Sequence, residues 1–191
     1  MKLIVLTAPS GAGKTTLARR LLEAVPGLRF SISATTRRPR PGERDGVDYF
    51  FLSEHVFRAR LRAGDFLEHE EVYPGRLYGT LRPELERLAR LPEVEAVVLD
   101  VDVKGALNVK RLYGDAARTV FVAPPSLGAL AERLRGRGTE TDAAIQDRLA
   151  RAGMEMRHAP DFDVAIVNDD LEEATRSLVG EVEAFLRGES V

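Results

Sequence analysis

The chain has 191 residues, 44% of them hydrophobic and 30% charged, with a net charge of −2; these values exclude a disordered chain and a polycation built to hold nucleic acid. It contains no Cys, which excludes disulfides, thiolate catalysis and Cys-ligated zinc and fits a reducing cytosol. No apolar run approaches the ~20 residues needed to cross a bilayer, and the length suits one domain with inserted lobes.

In chain order, "KLIVLT" (2–7) has the pattern of a buried strand. The segment "TTLARRLLEAV" follows with helical periodicity and is stopped by Pro26 and Gly27. Residues 30–80 then break the rhythm: a stretch rich in Pro, Gly and Arg, a helix from Ser53, and "FLEHEEVYPGRLYGT", whose alternation and turn residues predict a small, mostly antiparallel lobe. Beyond it, "VEAVVLDVD" (94–102), "ARTVFVA" (117–123) and "FDVAIVND" (162–169) are β-branched apolar runs. Helical segments at 103–112, 126–135, 142–157 and 171–187 lie between or after them. Apolar strands alternating with helices predict an α/β fold with a parallel core sheet covered on both faces. The expected organisation is a core of residues 1–30, 81–125 and 161–191, an inserted α+β lobe at 31–80 and a helical lid at 126–160.

The first chemical motif joins the first strand to the first helix. Ala8, Pro9, Ser10, Gly11, Ala12, Gly13, Lys14 and Thr15, followed by Thr16, match the phosphate-binding loop pattern G-x-x-x-x-G-K-[ST], with Ala8 in place of the first Gly. Successive N–H groups and a helix N-terminus make a concave positive site for a polyphosphate. Gly11 and Gly13 let the backbone approach it, Lys14 reaches the β- and γ-phosphates, and the Thr15 hydroxyl ligates Mg²⁺. Ala8 is harmless if its φ is negative, which is the expectation here; in a left-handed conformation it would cost roughly 1–2 kcal/mol. The loop alone is compatible with an NTPase or a kinase.

The second motif is "SISATTRRPRPGERDGVDYF" (31–50). Arg37 and Arg40 can fork onto phosphate oxygens, Tyr49 and Ser33 can add neutral donors, and Pro39 and Pro41 stiffen the segment. A nucleic-acid-binding or plain solvated loop is the rival reading; the acidic net charge and the lack of a basic stripe with interleaved aromatics stand against nucleic acid. Arg38 and Arg44 are expected to face solvent at least in part.

Taken together, "APSGAGKTTL", "SISATTRRPRPGERDGVDYFF", "FLEHEEV", "YGT", "LDVDVKGA", "FVAPPS", "RLRGRGTET" and "IVNDD" resemble the guanylate kinase family, in its order and over nearly the whole chain. The resemblance implies a P-loop nucleoside-monophosphate kinase with core, GMP-binding lobe and lid, transferring a phosphoryl group from ATP to GMP, and to deoxy-GMP, in purine nucleotide recycling. It implies that Arg37, Arg40 and Tyr49 hold the GMP phosphate with Ser33 and Tyr78 nearby, and that Glu68 and Thr80, next to Gly79 and helped by Asp102, read the base. A carboxylate accepts from both the ring N–H and the exocyclic amine of guanine, whereas adenine would leave it unpaired. The chain departs from the family in carrying Lys104 where Gln is usual after D-x-D, and in an extra residue in "VYPGRLYGT", around Tyr73 and Arg76.

Asp100, at the end of its strand, can order Mg²⁺ waters, and Asp102, one strand period on, is expected on the same side. Arg133 and Arg137 lie four apart, and Arg148 follows in the next helix; on a closing lid they would meet the transferring phosphoryl group, the alternative being exposed arginines paired with Glu132 or Asp147. Asn168 and Asp169 are expected on the adenosine side. His55, His69 and His158 have no metal-ligand spacing. The expected partners are small molecules, ATP with Mg²⁺ and GMP, rather than nucleic acid or membrane, in the cytoplasm. Rival functions are a silent guanylate-kinase-like module and a P-loop ATPase or GTPase; for a GTPase, "NVKR" (108–111) is not the guanine-reading N-K-x-D.

Overall fold

The structure is a computed structural model, and it describes residues 1–73, 75–136 and 141–189. Nine strands and seven α-helices lie among these residues. Strand β1 (Lys2–Thr7) earns its place by composition: Leu3, Ile4 and Val5 are fully buried, the unbroken apolar run of a strand covered on both faces. The chain divides into two compact units, Met1–Val5 with Gly27–Ala117, and Leu6–Pro26 with Arg118–Val191.

In the first unit, β2 (Leu28–Phe30) pairs in parallel with β7 (Ala96–Asp100), Leu28 opposite Ala96 and Phe30 opposite Val98. A second sheet, of order β4-β3-β6-β5, is built from β3 (Ala34–Thr35), β4 (Phe50–Phe51), β5 (Phe66–Tyr73) and β6 (Arg76–Leu81). Its β3–β6 and β5–β6 pairings are antiparallel and its short β3–β4 pairing is parallel, matching the predicted mostly antiparallel lobe. Helix α2 (Glu54–Arg62) starts where Ser53 accepts a hydrogen bond from the Val56 N–H, and it buries Phe57 against Ala34, Phe66, Leu77 and Leu81. Phe57 and Phe66 stack with centroids 4.3 Å apart, which sews helix to sheet.

Two elements of this unit escape the sequence reading. Helix α3 (Arg82–Ala89) follows β6 with no linker, so its two turns merge with the strand pattern; Pro83 in its first turn is the signal that was available. Strand β2 is three residues long and has no periodicity of its own. Helix α4 (Val103–Tyr113) begins after two residues that follow β7, the second of them, Asp102, serving as N-cap and accepting from the Gly105 N–H at 2.8 Å. Asp102 is therefore not one strand period beyond Asp100, as expected: the strand ends at Asp100, and the second aspartate starts a helix.

In the second unit, β8 (Ala117–Ala123) and β9 (Val164–Val167) pair in parallel, Val120 opposite Val164. Helix α1 (Lys14–Ala24) packs against α7 (Leu171–Arg187), and Arg20 pairs with Glu172 on their outer faces. Helices α5 (Leu127–Gly136) and α6 (Asp142–Met156) share a small core of Leu130, Leu134, Ile145 and Ala152. The predicted lobe at 31–80 lies within the first unit and the predicted lid at 126–160 within the second. No helix among the described residues is long and apolar enough to cross a membrane.

Candidate functional site

The candidate residues form two constellations, one inside each unit. In the second unit the loop from Ala8 to Gly13 leaves β1 and opens α1. The Pro9 carbonyl accepts the Ala12 N–H at 3.0 Å, tightening the turn, and Gly11 and Gly13 both have φ of +96°. Gly13 is required twice over: its backbone is left-handed, and a Cβ there would stand 2.2 Å from the Asn168 amide nitrogen. No residue other than glycine has positive φ among the described residues, so Ala8 has the unstrained backbone expected of it.

Helices α2, α4, α6 and α7 are each capped by a side chain, Ser53, Asp102, Thr141 or Asp170. Helix α1 is not: its N-cap is Gly13, with no side-chain bond, followed by Lys14 and the exposed Thr15 and then the half-buried Thr16. A helix N-terminus whose cap residue carries no side chain suits an anion.

Two residues predicted around this loop meet it, and a third holds one of the two. Asn168, 5% exposed at the end of β9, donates from its amide to the Ala12 carbonyl at 2.7 Å. That nitrogen is committed to bracing the loop, a task that the sequence reading, which placed Asn168 on the adenosine side, did not anticipate. Arg133 donates to the Asn168 carbonyl at 2.9 Å, instead of pairing with Glu132 or Asp147. Arg148 donates to the Ser10 hydroxyl at 2.6 Å. Arg137 lies outside the described residues, just past the end of α5 at Gly136.

In the first unit, Thr35 anchors the basic segment. Its buried hydroxyl donates to the Leu77 carbonyl at 3.0 Å and accepts the Arg37 N–H. The Arg37 guanidinium sits 4.8 Å over the Tyr49 ring and 5.5 Å over that of Phe51, with the Tyr78 hydroxyl beside it. Its side chain is 8% exposed, and Glu43 grips it with both carboxylate oxygens at 2.6 Å. This bond raises the Arg37 pKa and pulls that of Glu43 down to about 2. Burial raises the pKa of the Tyr49 phenol, and the negative charge of Asp100 adds to the effect.

Ser33 lies at the start of this segment, its carbonyl accepting the Phe50 N–H, and Arg40 is exposed, as are Arg38 and Arg44. Glu43 was missed because a single acid in "RRPRPGER" reads as charge balance; its signal was that it stands alone among arginines.

Glu68 and Thr80 face each other across the β5–β6 ladder, both buried, and the Thr80 hydroxyl donates to Glu68 Oε1 at 2.6 Å. Gly79, beside them, pairs with Ala34 on one side and His69 on the other. Burial pushes the Glu68 carboxyl up to about 7, against the pull of the Thr80 bond and helped by the negative charge of Asp102. The first turn of α4 closes over it: a Cβ on Gly105 would come within 2.8 Å of Glu68 Oε2. Lys104 turns to Glu70, 3.2 Å away, so this departure from the family pattern forms an exposed ion pair. The hairpin that carries the extra residue turns at Gly75, whose N–H bonds the Glu71 carboxylate at 2.6 Å; Pro74 lies outside the described residues. No group of three or more His, Asp or Glu among the described residues could cage a metal, and His158 bonds Asp161.

The first unit thus offers an aromatic-walled cationic seat and a buried, proton-hungry carboxylate, and the second a glycine-rich loop at an uncapped helix N-terminus. The family model for guanylate kinase matches residues 1–185. The guanylate kinase of Salinibacter ruber is 59% identical over 96% of this chain and 96% of its own, and that of Chlorobium chlorochromatii is 50% identical over 97% and 94%. A crystal structure of guanylate kinase from Anaplasma phagocytophilum superposes with a TM-score of 0.76 at 32% identity, covering 96% of this chain and 85% of that one. With an α/β fold built on a parallel sheet, a glycine-rich loop opening its first helix and relatives matched over nearly the whole chain, the chain belongs to the guanylate kinase family, whose members transfer phosphate from ATP to GMP.

Proposed function

We propose that this chain moves the γ-phosphoryl group of ATP to GMP, and to deoxy-GMP, in a single in-line step. An oxygen of the GMP phosphate forms the new bond to the γ-phosphorus, the bond from that phosphorus to the β–γ bridging oxygen breaks, and ADP and GDP result. The acceptor has a second pKa of about 6, so at neutral pH it is already largely dianionic and needs no general base. Catalysis is then positioning and charge neutralisation.

The observation that carries the reading is the buried Glu68–Thr80 pair in the same unit as the Arg37 seat. A carboxylate with so little exposure has reason to be there if a ligand supplies further N–H donors to it, as the Watson–Crick edge of guanine does. Arg37, Arg40, Tyr49, Tyr78 and Ser33 would hold the GMP phosphate. The Thr80 hydroxyl would turn from Glu68 to the guanine carbonyl, with Gly79 and Asp102 completing the base site. The loop residues 8–16 would hold the ATP phosphates, Lys14 reaching the β- and γ-phosphates and Asn168 bracing the loop beneath them. Arg133, Arg137 and Arg148 would neutralise charge on the transferring group.

The residues fit Mg²⁺. The Thr15 hydroxyl, next to Lys14 at the start of α1, is a hard oxygen donor; Mg²⁺ commonly takes one or two protein oxygens and shares the rest of its shell with phosphates and water, needing no cage. Bound there with ATP, it would neutralise charge on the β- and γ-phosphates. ATP and GMP are intracellular metabolites, so the cytoplasm is the compartment in which this activity would have its substrates.

The test is ADP release from ATP–Mg²⁺ with GMP, deoxy-GMP, AMP, UMP or CMP as acceptor. Turnover with the two guanine nucleotides alone is expected. ADP formation that ignores the monophosphate would make the chain an ATPase; no turnover with any acceptor would leave a silent binding module.

A further inference from the structure

We propose that Glu43 is a positioning residue that presents Arg37 to the acceptor phosphate with one chosen edge outward. The proposal rests on the reading that Arg37 holds that phosphate. A guanidinium has five N–H groups in a rigid fork. The Nη1 group donates to Glu43 Oε2 at 2.6 Å and to the Arg38 carbonyl at 3.0 Å, and Nη2 donates to Glu43 Oε1 at 2.6 Å. The Nη1–Nη2 edge is thereby taken, and the Nε–Nη2 edge is the one these bonds leave over. A phosphate can be gripped by that edge with two parallel hydrogen bonds while Glu43 keeps hold of the other.

Glu43 is itself held. Its Oε2 also accepts the Arg40 backbone N–H at 2.7 Å, so the carboxylate is fastened to the loop that carries the second phosphate-binding arginine. The Arg37 guanidinium carbon stands 4.8 Å from the Tyr49 ring centroid and 5.5 Å from that of Phe51; such contacts hold the cation's position but not which edge it turns outward, and a bidentate carboxylate fixes the edge. Rotamer entropy that the free side chain would lose on meeting phosphate is lost already on folding.

The experiment measures GMP and ATP KM values for Glu43→Ala, Glu43→Gln, Arg37→Ala and the double variant Arg37→Ala/Glu43→Ala, with GMP affinity by calorimetry alongside. Glu43→Ala is expected to raise the GMP KM about tenfold, as loss of an orienting partner does, leaving the ATP KM unchanged. Glu43→Gln, which keeps the shape but turns one acceptor into a donor facing the guanidinium, is expected to move it the same way by less, and carries the test if the alanine variant does not fold. In the Arg37→Ala background, removing Glu43 should add nothing, because it acts through Arg37. A further loss in that background would show Glu43 merely shaping the loop and would overturn the proposal, as would an unchanged GMP KM in Glu43→Ala when Arg37→Ala raises it. If Arg37→Ala itself leaves the GMP KM unchanged, the phosphate assignment falls and the proposal with it.

Discussion

Replacing Glu68 by Gln should make the nucleotide-free protein more stable above neutral pH while removing guanine recognition. Glu68 is 8% exposed, and its carboxyl is held near 7 by burial instead of the ordinary 4.5, with Asp102 and Glu70 adding negative charge nearby. A carboxyl whose folded pKa lies above its unfolded value favours the fold while protonated and loses that contribution as pH rises from about 4.5 through about 7. At about 1.4 kcal/mol per tenfold change in proton affinity, the ionised group costs about 3 kcal/mol at high pH. Gln keeps an acceptor for the Thr80 hydroxyl and carries no charge. The stability advantage of the variant over the parent should therefore grow by about 2–3 kcal/mol between pH 5 and pH 8. That is roughly 5–10 °C in Tm for a chain of this size. Urea unfolding of both proteins at several pH values, without nucleotide, measures it; the titration of groups that do not interact with Glu68 cancels in the difference. A difference that stays flat between pH 5 and 8 would refute the argument. The same variant loses one of two acceptors for guanine, so kcat/KM for GMP should fall by about 10² or more.

Other outcomes follow from the same geometry. The KM for GMP should rise as pH falls below about 7, where Glu68 takes up a proton, while the KM for ATP should not follow it; steady-state kinetics from pH 5.5 to 8.5 decide this. Gly105→Ala places a methyl carbon 2.8 Å from Glu68 Oε2 and 3.1 Å from Asp102 Oδ1, so GMP binding should weaken severalfold. Since alanine is the better helix former by about 1 kcal/mol, a selective loss of GMP affinity without a matching loss in Tm is the signature. Lys14→Ala should lower kcat by about 10²–10³, the usual effect of removing one charge-stabilising donor. Asn168→Ala leaves the Ala12 carbonyl without its amide donor and should cost about 1–3 kcal/mol together with a higher KM for ATP, read by thermal unfolding and kinetics.

Much of this molecule is written locally. The apolar runs of β1, β7 and β8, the caps Ser53 and Asp170, and the G-A-G-K-T loop are decided by neighbours a few residues apart, where backbone sterics, side-chain period and capping act. The strand and helix order, and the glycine-rich loop between β1 and α1, were legible for that reason; so was the negative φ of Ala8. The short elements β2 and α3 were not, because three or eight residues carry too little periodicity to outweigh their neighbours.

What only the tertiary structure decided are the pairings across long stretches of chain. Glu68 reads as a solvated strand acid until β6 sets Thr80 opposite it and α4 closes over it. Asn168 reads as a strand-end amide until β9 sets it against Gly13, 155 residues away along the chain. Arg37 and Glu43 are six residues apart, yet their bidentate geometry needs the Tyr49 and Phe51 rings brought round beneath the guanidinium. The physical reason is common to all three. Residue type fixes what a side chain can donate or accept, but burial sets how strongly it must do so, and burial is a property of the folded chain alone.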